Sequence, residues 1–176
     1  MPYVRVLFYC GYLTHFNHPK IIGYCNRPFS CVEEMDTVII DKWNGIVSPG
    51  DTVYHLGDFA FGKMDVVKRY RYRLNGKINL ILGNHDYRNK IPRLAECFTS
   101  VKDIYELKHN HKSIILCHYA MRVWPKKHHG AIHLYGHSHG NLENLSGSMD
   151  VGTDTNNFTP YSLDEIYDNV FKGKHI

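Results

Sequence analysis

Four short polar clusters carry the residue types best suited to chemistry in this 176-residue chain: Asp58, Asn84-His85-Asp86, His118 and His137-Ser138-His139. Each cluster directly follows a run of residues that predicts a β-strand, and loops beyond strand ends converge on one edge of a sheet. Groups that lie far apart in the sequence can therefore meet on a rigid platform. The chain also contains 13 histidines, and imidazole is the commonest side-chain ligand for borderline transition metals. The clusters predict one functional site at a sheet edge.

The elements that must position these clusters alternate between strand and helix. Strands are predicted over residues 4–9, 52–56, 77–82, 101–107, 114–117, 132–135 and 148–151, with a turn at 109–112. One helix is predicted from Ser30, where Ser30 and Glu33 match a capping box, to Gly45, and a second over 64–74. A third begins at Ser162, again with a glutamate three residues on, and buries three apolar residues: Ile166, Val170 and Phe171.

Glycines in the loops give a further indication of tight geometry. Gly57, Gly83 and Gly136 each precede a polar residue at a predicted strand end. A turn at such a position needs either a positive φ or a close approach of the backbone to another group, and glycine permits both.

Composition limits the classes of protein to which the chain can belong. With 43% hydrophobic and 22% charged residues, it predicts a single globular domain over 1–176. A net charge of +4 is too small and dispersed for a nucleic-acid tail, although it favours an anionic substrate. Five cysteines without a CxxC pair indicate neither a disulfide framework nor a zinc knuckle, so we expect a reduced cytoplasm. No apolar run approaches the roughly 18 residues that span a bilayer, so neither membrane insertion nor secretion is expected.

The order of the clusters, GD, GNHD, a strand-end histidine and GHSH, resembles that of the calcineurin-like metallophosphoesterase superfamily over nearly the whole chain. The segments 26–29, 51–59 and 133–139 are similar to those of small bacterial and phage members. The resemblance implies an α/β fold, a four-layer sandwich of two mostly β mixed sheets flanked by helices. It also implies metal-dependent hydrolysis of phosphate esters at a dinuclear centre, which lies at the strand ends.

The resemblance assigns roles by position. Asp58 matches the carboxylate that bridges two cations. The other matching metal ligands are Asn84, His118 and His137 for the second metal and His15 and His139 for the first. An extended backbone over 136–139 would point the imidazoles of His137 and His139 to the same side, so that one loop serves both metals. Manganese, iron, zinc and nickel all suit such mixed nitrogen and oxygen ligands.

His85 matches the histidine that protonates the leaving group, a role that needs a pKa near the working pH. Asp86 either orients His85 or hydrogen-bonds the loop backbone. Three residues are candidate phosphate contacts, with a solvated surface role as the alternative for each: His18, Arg27 and Arg122.

The opening motif departs from the family. The family has Asp-x-His after its first strand, and the matching residues here are Leu13-Thr14-His15, with no carboxylate before Glu33. Leucine offers no lone pair, so the first metal site should be weak while the second keeps its full set.

Two hypotheses about function follow from this departure. The chain is either an active phosphoesterase or a degenerate relative that binds one metal with weak or no catalysis. A basic RNA-binding module has little support, because no recognition motif is present. The expected partner is a phosphate ester, with nucleotides and nucleic-acid ends among the candidates, and neither a membrane nor an obligate protein partner is expected. For the substrate we expect a small or open-ended phosphodiester.

Overall fold

Two β-sheets position the polar clusters in the structure, a computed structural model that describes residues 7–11, 13–86 and 91–171. In chain order the strands are β1 (Phe8–Cys10), β2 (Thr52–His55), β3 (Lys77–Ile81), β4 (Ser100–Lys102), β5 (Ile104–His109), β6 (Lys112–Cys117), β7 (Ile132–Tyr135), β8 (Ser148–Asp150) and β9 (Tyr161–Ser162). The helices are α1 (Pro19–Tyr24), α2 (Val32–Ile46), α3 (Met64–Arg71), α4 (Ile91–Leu94) and α5 (Leu163–Phe171).

Both sheets are mixed. The first has the order β4-β3-β2-β1-β9, in which β1 to β4 pair in parallel and β9 is antiparallel to β1. The second has the order β5-β6-β7-β8, in which β6 to β8 are parallel and β5 is antiparallel to β6. Parallel strands bring their carboxyl ends to the same edge of a sheet, so the loops after β1, β2, β3, β6 and β7 can form one site.

Apolar side chains fill the space between the sheets and beneath the helices. The inter-sheet core includes Tyr54 and Leu56 from the first sheet, Leu116 and Leu134 from the second, and Ile166 from α5. A second core joins the other face of the first sheet to α2 and α3; its members include Val53, Ile78, Met35, Ile39, Trp43 and Val67. The sandwich with flanking helices that the sequence predicts is therefore confirmed. None of the described helices is both long and apolar enough to cross a membrane.

Helix ends follow the sequence signals with small shifts. At Ser162, the Ser162 N–H and hydroxyl bond Glu165 Oε2 at 2.7 and 2.8 Å, which confirms the capping box there. At Ser30 the prediction is wrong by one residue, because its N–H and hydroxyl bond Glu34 rather than Glu33, at 2.8 and 2.6 Å. That helix also continues past Gly45 to Ile46.

Two predicted strands differ more in the structure. The strand expected over 101–107 is two strands, because the chain leaves the first sheet after Lys102 and joins the second at Ile104. The turn expected at 109–112 is confirmed, with positive φ at Asn110 and His111. The first strand, expected over 4–9, lies at Phe8–Cys10. Residues 4–6 and the side chain of Phe171 lie outside the described part of the chain.

Candidate metal centre

The carboxyl ends of five strands carry the polar clusters, as the sequence predicts. Residues 13–18 follow β1, Asp58 follows β2 and residues 83–86 follow β3, while His118 follows β6 and residues 136–139 follow β7. Asp58 Oδ2 lies 3.5 Å from His118 Nε2 and 3.7 Å from His15 Nε2. Strand ends from both sheets therefore meet at one site.

Four of the six candidate metal ligands have a left-handed backbone. The φ angle is 50° at His15, 51° at Asp58, 62° at His137 and 49° at His139. Such a conformation in a residue other than glycine costs about 1–3 kcal/mol and clusters at functional sites. The extended backbone expected over 136–139 is therefore wrong, because φ is positive at His137 and at His139. The two imidazoles turn to different neighbours. The His137 ring lies 5.0 Å from that of His118, and the His139 ring 5.2 Å from that of His15.

His118 is the central donor on one side of the site. Its Nδ1 donates to the Leu56 carbonyl at 2.6 Å, so the neutral ring has a bare lone pair on Nε2. Nε2 faces Asn84 Oδ1 and His137 Nδ1, each at 3.1 Å. Burial lowers the pKa of His118, against the opposing effect of Asp58, and so favours this neutral ring. The lone pairs of His118 Nε2 and Asn84 Oδ1 face one another with no proton between them, so these two ligand atoms fit a divalent metal ion.

Asp58 connects the two sides of the site. The residue is 2% exposed, and its Oδ1 accepts a hydrogen bond from the His85 N–H at 2.9 Å. A Cβ on Gly83 would overlap Oδ1, so glycine is required there for close approach. The other oxygen, Oδ2, is left facing both His118 and His15. This geometry suits a carboxylate that contacts ions on both sides.

On the opposite side of Asp58 from His118, the ring of His15 offers a nitrogen that can ligate a metal. It is 4% exposed, and among the described residues its Nε2 has no hydrogen-bond partner. Burial lowers the pKa of His15 well below its ordinary value, so the ring is neutral. A buried polar atom without a partner costs about 1–3 kcal/mol, and a cation at Nε2 would remove that cost. This side therefore also fits a metal ion, although with fewer ligands.

Leu13 is the residue at which the resemblance to the family leads us to expect a carboxylate. Its side chain is fully buried. It packs so closely on Gly136 that a Cβ there would overlap Leu13 Cδ1, and Gly152 lies on the same side chain. An apolar group therefore fills the space beside the loop that carries His137, and it contributes no ligand.

His85 and Asp86 have different surroundings. Among the described residues, His85 Nδ1 is buried without a hydrogen-bond partner, and the ring centroid lies 5.9 Å from that of His15. The Asp86 carboxylate accepts three backbone N–H groups, from Asp58 at 2.7 Å, Gly83 at 2.8 Å and Phe59 at 3.0 Å. Burial raises the pKa of Asp86 to about 7, against the effect of these donors. Of the two roles weighed for Asp86, the structure shows the bond to the loop backbone.

Comparisons with known proteins identify the family. The model of the calcineurin-like phosphoesterase superfamily domain matches residues 36–151. The chain belongs to this superfamily. It is 36% identical to the uncharacterized protein MJ1445 of Methanocaldococcus jannaschii over an alignment of 170 residues. This alignment covers 92% of this chain and 89% of the relative. The crystal structure of AQ665 from Aquifex aeolicus, a protein of unknown function, aligns with a TM-score of 0.76 and 25% identity, covering 94% of this chain and 100% of that one.

The matched segment of this calcineurin-like phosphoesterase includes most of the site. Asp58, Asn84, His85, His118 and residues 137–139 all lie within 36–151. The opening motif at 13–15, where Leu13 stands, lies before it. Members of the family use divalent metals, and the described residues include the group Asp58, His118 and His137, whose ligand atoms lie within 4.8 Å of one another.

Arg27 lies beside the site but its guanidinium is committed to the protein itself. It is 4% exposed, and Nε and Nη2 donate to the two Asp154 oxygens at 2.7 and 2.9 Å. Its remaining N–H groups bond the carbonyls of Leu13 and Thr14, each at 3.2 Å, and Met35 Sδ at 3.4 Å. All five N–H groups therefore have acceptors within the chain, so in this arrangement none remains for a phosphate oxygen.

The other two candidate phosphate contacts lie in different places. His18 is 8% exposed, and its ring lies 6.0 Å from the His85 ring and 4.4 Å from Phe61. It is therefore close to the reacting groups. Arg122 is exposed and lines a surface cavity of about 420 Å³ with Met121 and other residues of the second sheet's outer side. Within the described part of the chain, no hydrogen bond, ion pair or ring contact joins Arg122 to the metal-ligand candidates.

Two aspartates near the end of β8 support the histidine loop: Asp154, which the sequence motifs did not single out, and Asp150, which the sequence offers only as a candidate to complete the first metal site. Asp150 Oδ2 accepts from the Ser138 hydroxyl at 2.7 Å and the Gly140 N–H at 2.9 Å. Asp154 Oδ2 lies 2.7 Å from His139 Nδ1. Burial lowers the pKa of His139, but hydrogen bonds to Asp154 and Cys25, together with the charges of these two groups, outweigh it and raise that pKa to about 9. The signal that found the other clusters applied here too, because both aspartates lie at or just beyond the end of β8.

Proposed function

We propose that this calcineurin-like phosphoesterase hydrolyses phosphodiesters with two divalent ions, one held firmly on the His118 side and one more weakly on the His15 side. The supporting observation is the convergence of ligand atoms from Asp58, His118 and His15, of which His15 Nε2 has no hydrogen-bond partner among the described residues. Bound divalent ions polarise the phosphoryl oxygens and acidify a water. Manganese, iron, zinc and nickel all fit the mixed nitrogen and oxygen donors.

His85 is the general acid in this proposal. Its backbone N–H is held by Asp58 Oδ1, and Asp86 ties the loop after β3 to the loop after β2. Its ring has a buried Nδ1 with no hydrogen bond to any described residue. The attacking water loses a proton to solvent as its oxygen bonds to phosphorus, the bond to the leaving oxygen breaks, and that oxygen takes a proton from His85, which solvent then reprotonates. Such proton transfer contributes about 10²–10⁴-fold to rate.

The leaving-group side of the site is aromatic. The Phe61 side chain is 36% exposed, and its ring lies 5.6 Å from His85 and 4.4 Å from His18. A leaving group that takes its proton from His85 lies close to these ring faces. This favours a phosphodiester with a planar leaving group, either an aryl group or a nucleoside, and so keeps nucleotides and nucleic-acid ends among the substrates.

A second function has a specific observation in its favour. Because Leu13 is fully buried in the position of the missing carboxylate, the chain can hold one ion on the His118 side and catalyse weakly or not at all. This degenerate relative and the active enzyme differ in metal stoichiometry and in turnover.

Metal analysis and hydrolysis assays separate the two functions. The purified protein is incubated with Mn²⁺, its bound metal is counted, and hydrolysis of bis(p-nitrophenyl) phosphate is compared with that of p-nitrophenyl phosphate. We expect turnover of the diester that EDTA abolishes. His118→Ala should lose both metal and turnover, whereas Asp41→Asn, an exposed change on α2, should alter neither. One bound ion without turnover would show the degenerate relative, and no bound metal would refute both functions.

A further inference from the structure

Asp154 lies behind His139, on the side of the centre where Leu13 replaces the expected aspartate. Its Oδ2 is 2.7 Å from His139 Nδ1. Its two oxygens also accept from Arg27 Nε and Nη2 at 2.7 and 2.9 Å, so this carboxylate is an acceptor in an ion pair and accepts from the His139 ring as well. His139 Nδ1 must therefore carry the proton. Once a metal ion displaces any proton from the other ring nitrogen, Nε2 is the atom left to bind it.

The same carboxylate is tied to the loop that carries His15. Arg27 donates to both Asp154 oxygens and also to the carbonyls of Leu13 and Thr14, the two residues before His15. The His139 and His15 rings face one another with centroids 5.2 Å apart. One buried ion pair thus fixes both histidines that border the weaker side of the centre.

We propose that Asp154 is a positioning residue for the weaker ion. Through His139 it aims Nε2 at the His15 side, and it supplies through the ring the negative charge that Leu13 cannot supply directly. This inference rests on the proposed function. A carboxylate behind a ligating histidine fixes the tautomer and raises the basicity of the ligand, and its loss typically lowers metal affinity 10–100-fold.

A direct metal site at this place is the competing interpretation. The ligand atoms of Cys25, His139 and Asp154 lie within 4.8 Å of one another. Asp154 Oδ2 already accepts from His139 and from Arg27, however. A cation there would have to displace both hydrogen bonds beside a permanently charged guanidinium. Asp154 is therefore better suited to orienting His139 as a metal ligand than to binding a metal ion itself.

The test is a titration of the metal-free protein with Mn²⁺. Binding is measured by calorimetry and, separately, by the electron paramagnetic resonance signal of the Mn²⁺ that remains free. Wild type should show a tight and a weak class of site. Asp154→Asn, which keeps an acceptor oxygen and removes the charge, should weaken the weak class about 10–100-fold and leave the tight class within about two-fold. Asp41→Asn, the same change at an exposed position of α2, should alter neither class.

A double variant separates positioning from a general effect on the fold. In a His139→Ala background, the added Asp154→Asn change should leave the remaining class within about two-fold, because that class lies on the His118 side, where neither Asp154 nor Arg27 hydrogen-bonds a ligand. Further weakening there would overturn the proposal. So would an unchanged weak class in Asp154→Asn, equal weakening of both classes, or a single class in wild type.

A measurement on wild type keeps the proposal falsifiable if Asp154→Asn fails to fold. Long-range ¹H–¹⁵N spectra of the histidine rings should show a proton on His139 Nδ1 that remains after loading with Zn²⁺, while the Nε2 signal shifts. Loss of the Nδ1 proton on loading would overturn the proposal. Failure of the proposed function looks different: two classes of site without phosphodiester turnover would refute the function and leave the role of Asp154 standing.

Discussion

Replacing Leu13 with aspartate tests the proposal that a missing carboxylate limits metal binding on the His15 side. Leu13 is fully buried, and it packs on Gly136 and Gly152. Full burial of a leucine side chain stabilises a fold by about 1.5–3 kcal/mol, and an uncompensated buried carboxylate costs several kcal/mol more. Without metal, Leu13→Asp should therefore lower the free energy of unfolding by about 4 kcal/mol or more.

Metal should reverse much of that loss. The new carboxylate would stand two residues from His15, where a divalent ion lacks an anionic oxygen ligand. An ion present at about 1,000 times its dissociation constant stabilises the folded state by about 4 kcal/mol. Thermal unfolding with EDTA and with Mn²⁺ should show a larger metal-dependent rise in Tm for Leu13→Asp than for wild type.

The matched control is Leu13→Asn, which loses the same packing and has the same shape but brings no charge. We expect a smaller rise in Tm with Mn²⁺ for this variant. Metal stoichiometry in Leu13→Asp should move towards two, and diester turnover at limiting metal should rise with it. If Leu13→Asp folds and neither stoichiometry nor turnover changes, Leu13 does not stand at the first metal site.

Three further predictions concern single side chains. His85→Ala should lower diester turnover about 10²–10⁴-fold with metal content unchanged, whereas His137→Ala should lose metal; equal metal loss in both would make His85 a ligand. His55 is buried with its pKa lowered to about 3, so its stabilising neutral form is fully effective above pH 6.5 and is lost on acidification. Wild type should lose about 3 kcal/mol to this group by pH 4.5, and urea unfolding of His55→Asn should show a shallower dependence on pH. Tyr70→Phe removes a 2.6 Å bond to buried Asp36 and should cost about 1–3 kcal/mol by urea unfolding, and an unchanged midpoint would refute that bond.

The strand-end clusters were predictable because their signals are local. Runs rich in β-branched and aromatic residues predict strands, and a glycine before a polar residue marks three of the loops, at Gly57, Gly83 and Gly136. The path of the chain at Asp103 was not predictable, because the residues on either side have the same strand pattern although they belong to different sheets. Parallel pairing then brings the loops together without any further signal in the sequence.

The hydrogen-bond partners of individual side chains could be identified only from the structure. Arg27 has a residue type that suits phosphate, yet its N–H groups are taken by Asp154, 127 positions away, and by the loop of Leu13. His139 in turn gains its orientation from Asp154. Such pairings depend on how distant loops pack, and composition or periodicity says nothing about them.

Two unfavourable features of His15 help to decide between an active enzyme and a degenerate relative. His15 combines a left-handed backbone with a buried Nε2 that has no hydrogen bond to any described residue. Each of these features costs about 1–3 kcal/mol; a rotated ring would relieve the second, and a solvated loop would relieve both. The loop is instead held by Arg27 at the Leu13 and Thr14 carbonyls and by the Thr14 hydroxyl, which donates to the Phe59 carbonyl at 2.6 Å. A fold that keeps an unpaired imidazole so firmly aimed towards Asp58 is prepared for a cation there, which supports the two-metal enzyme over the one-metal relative.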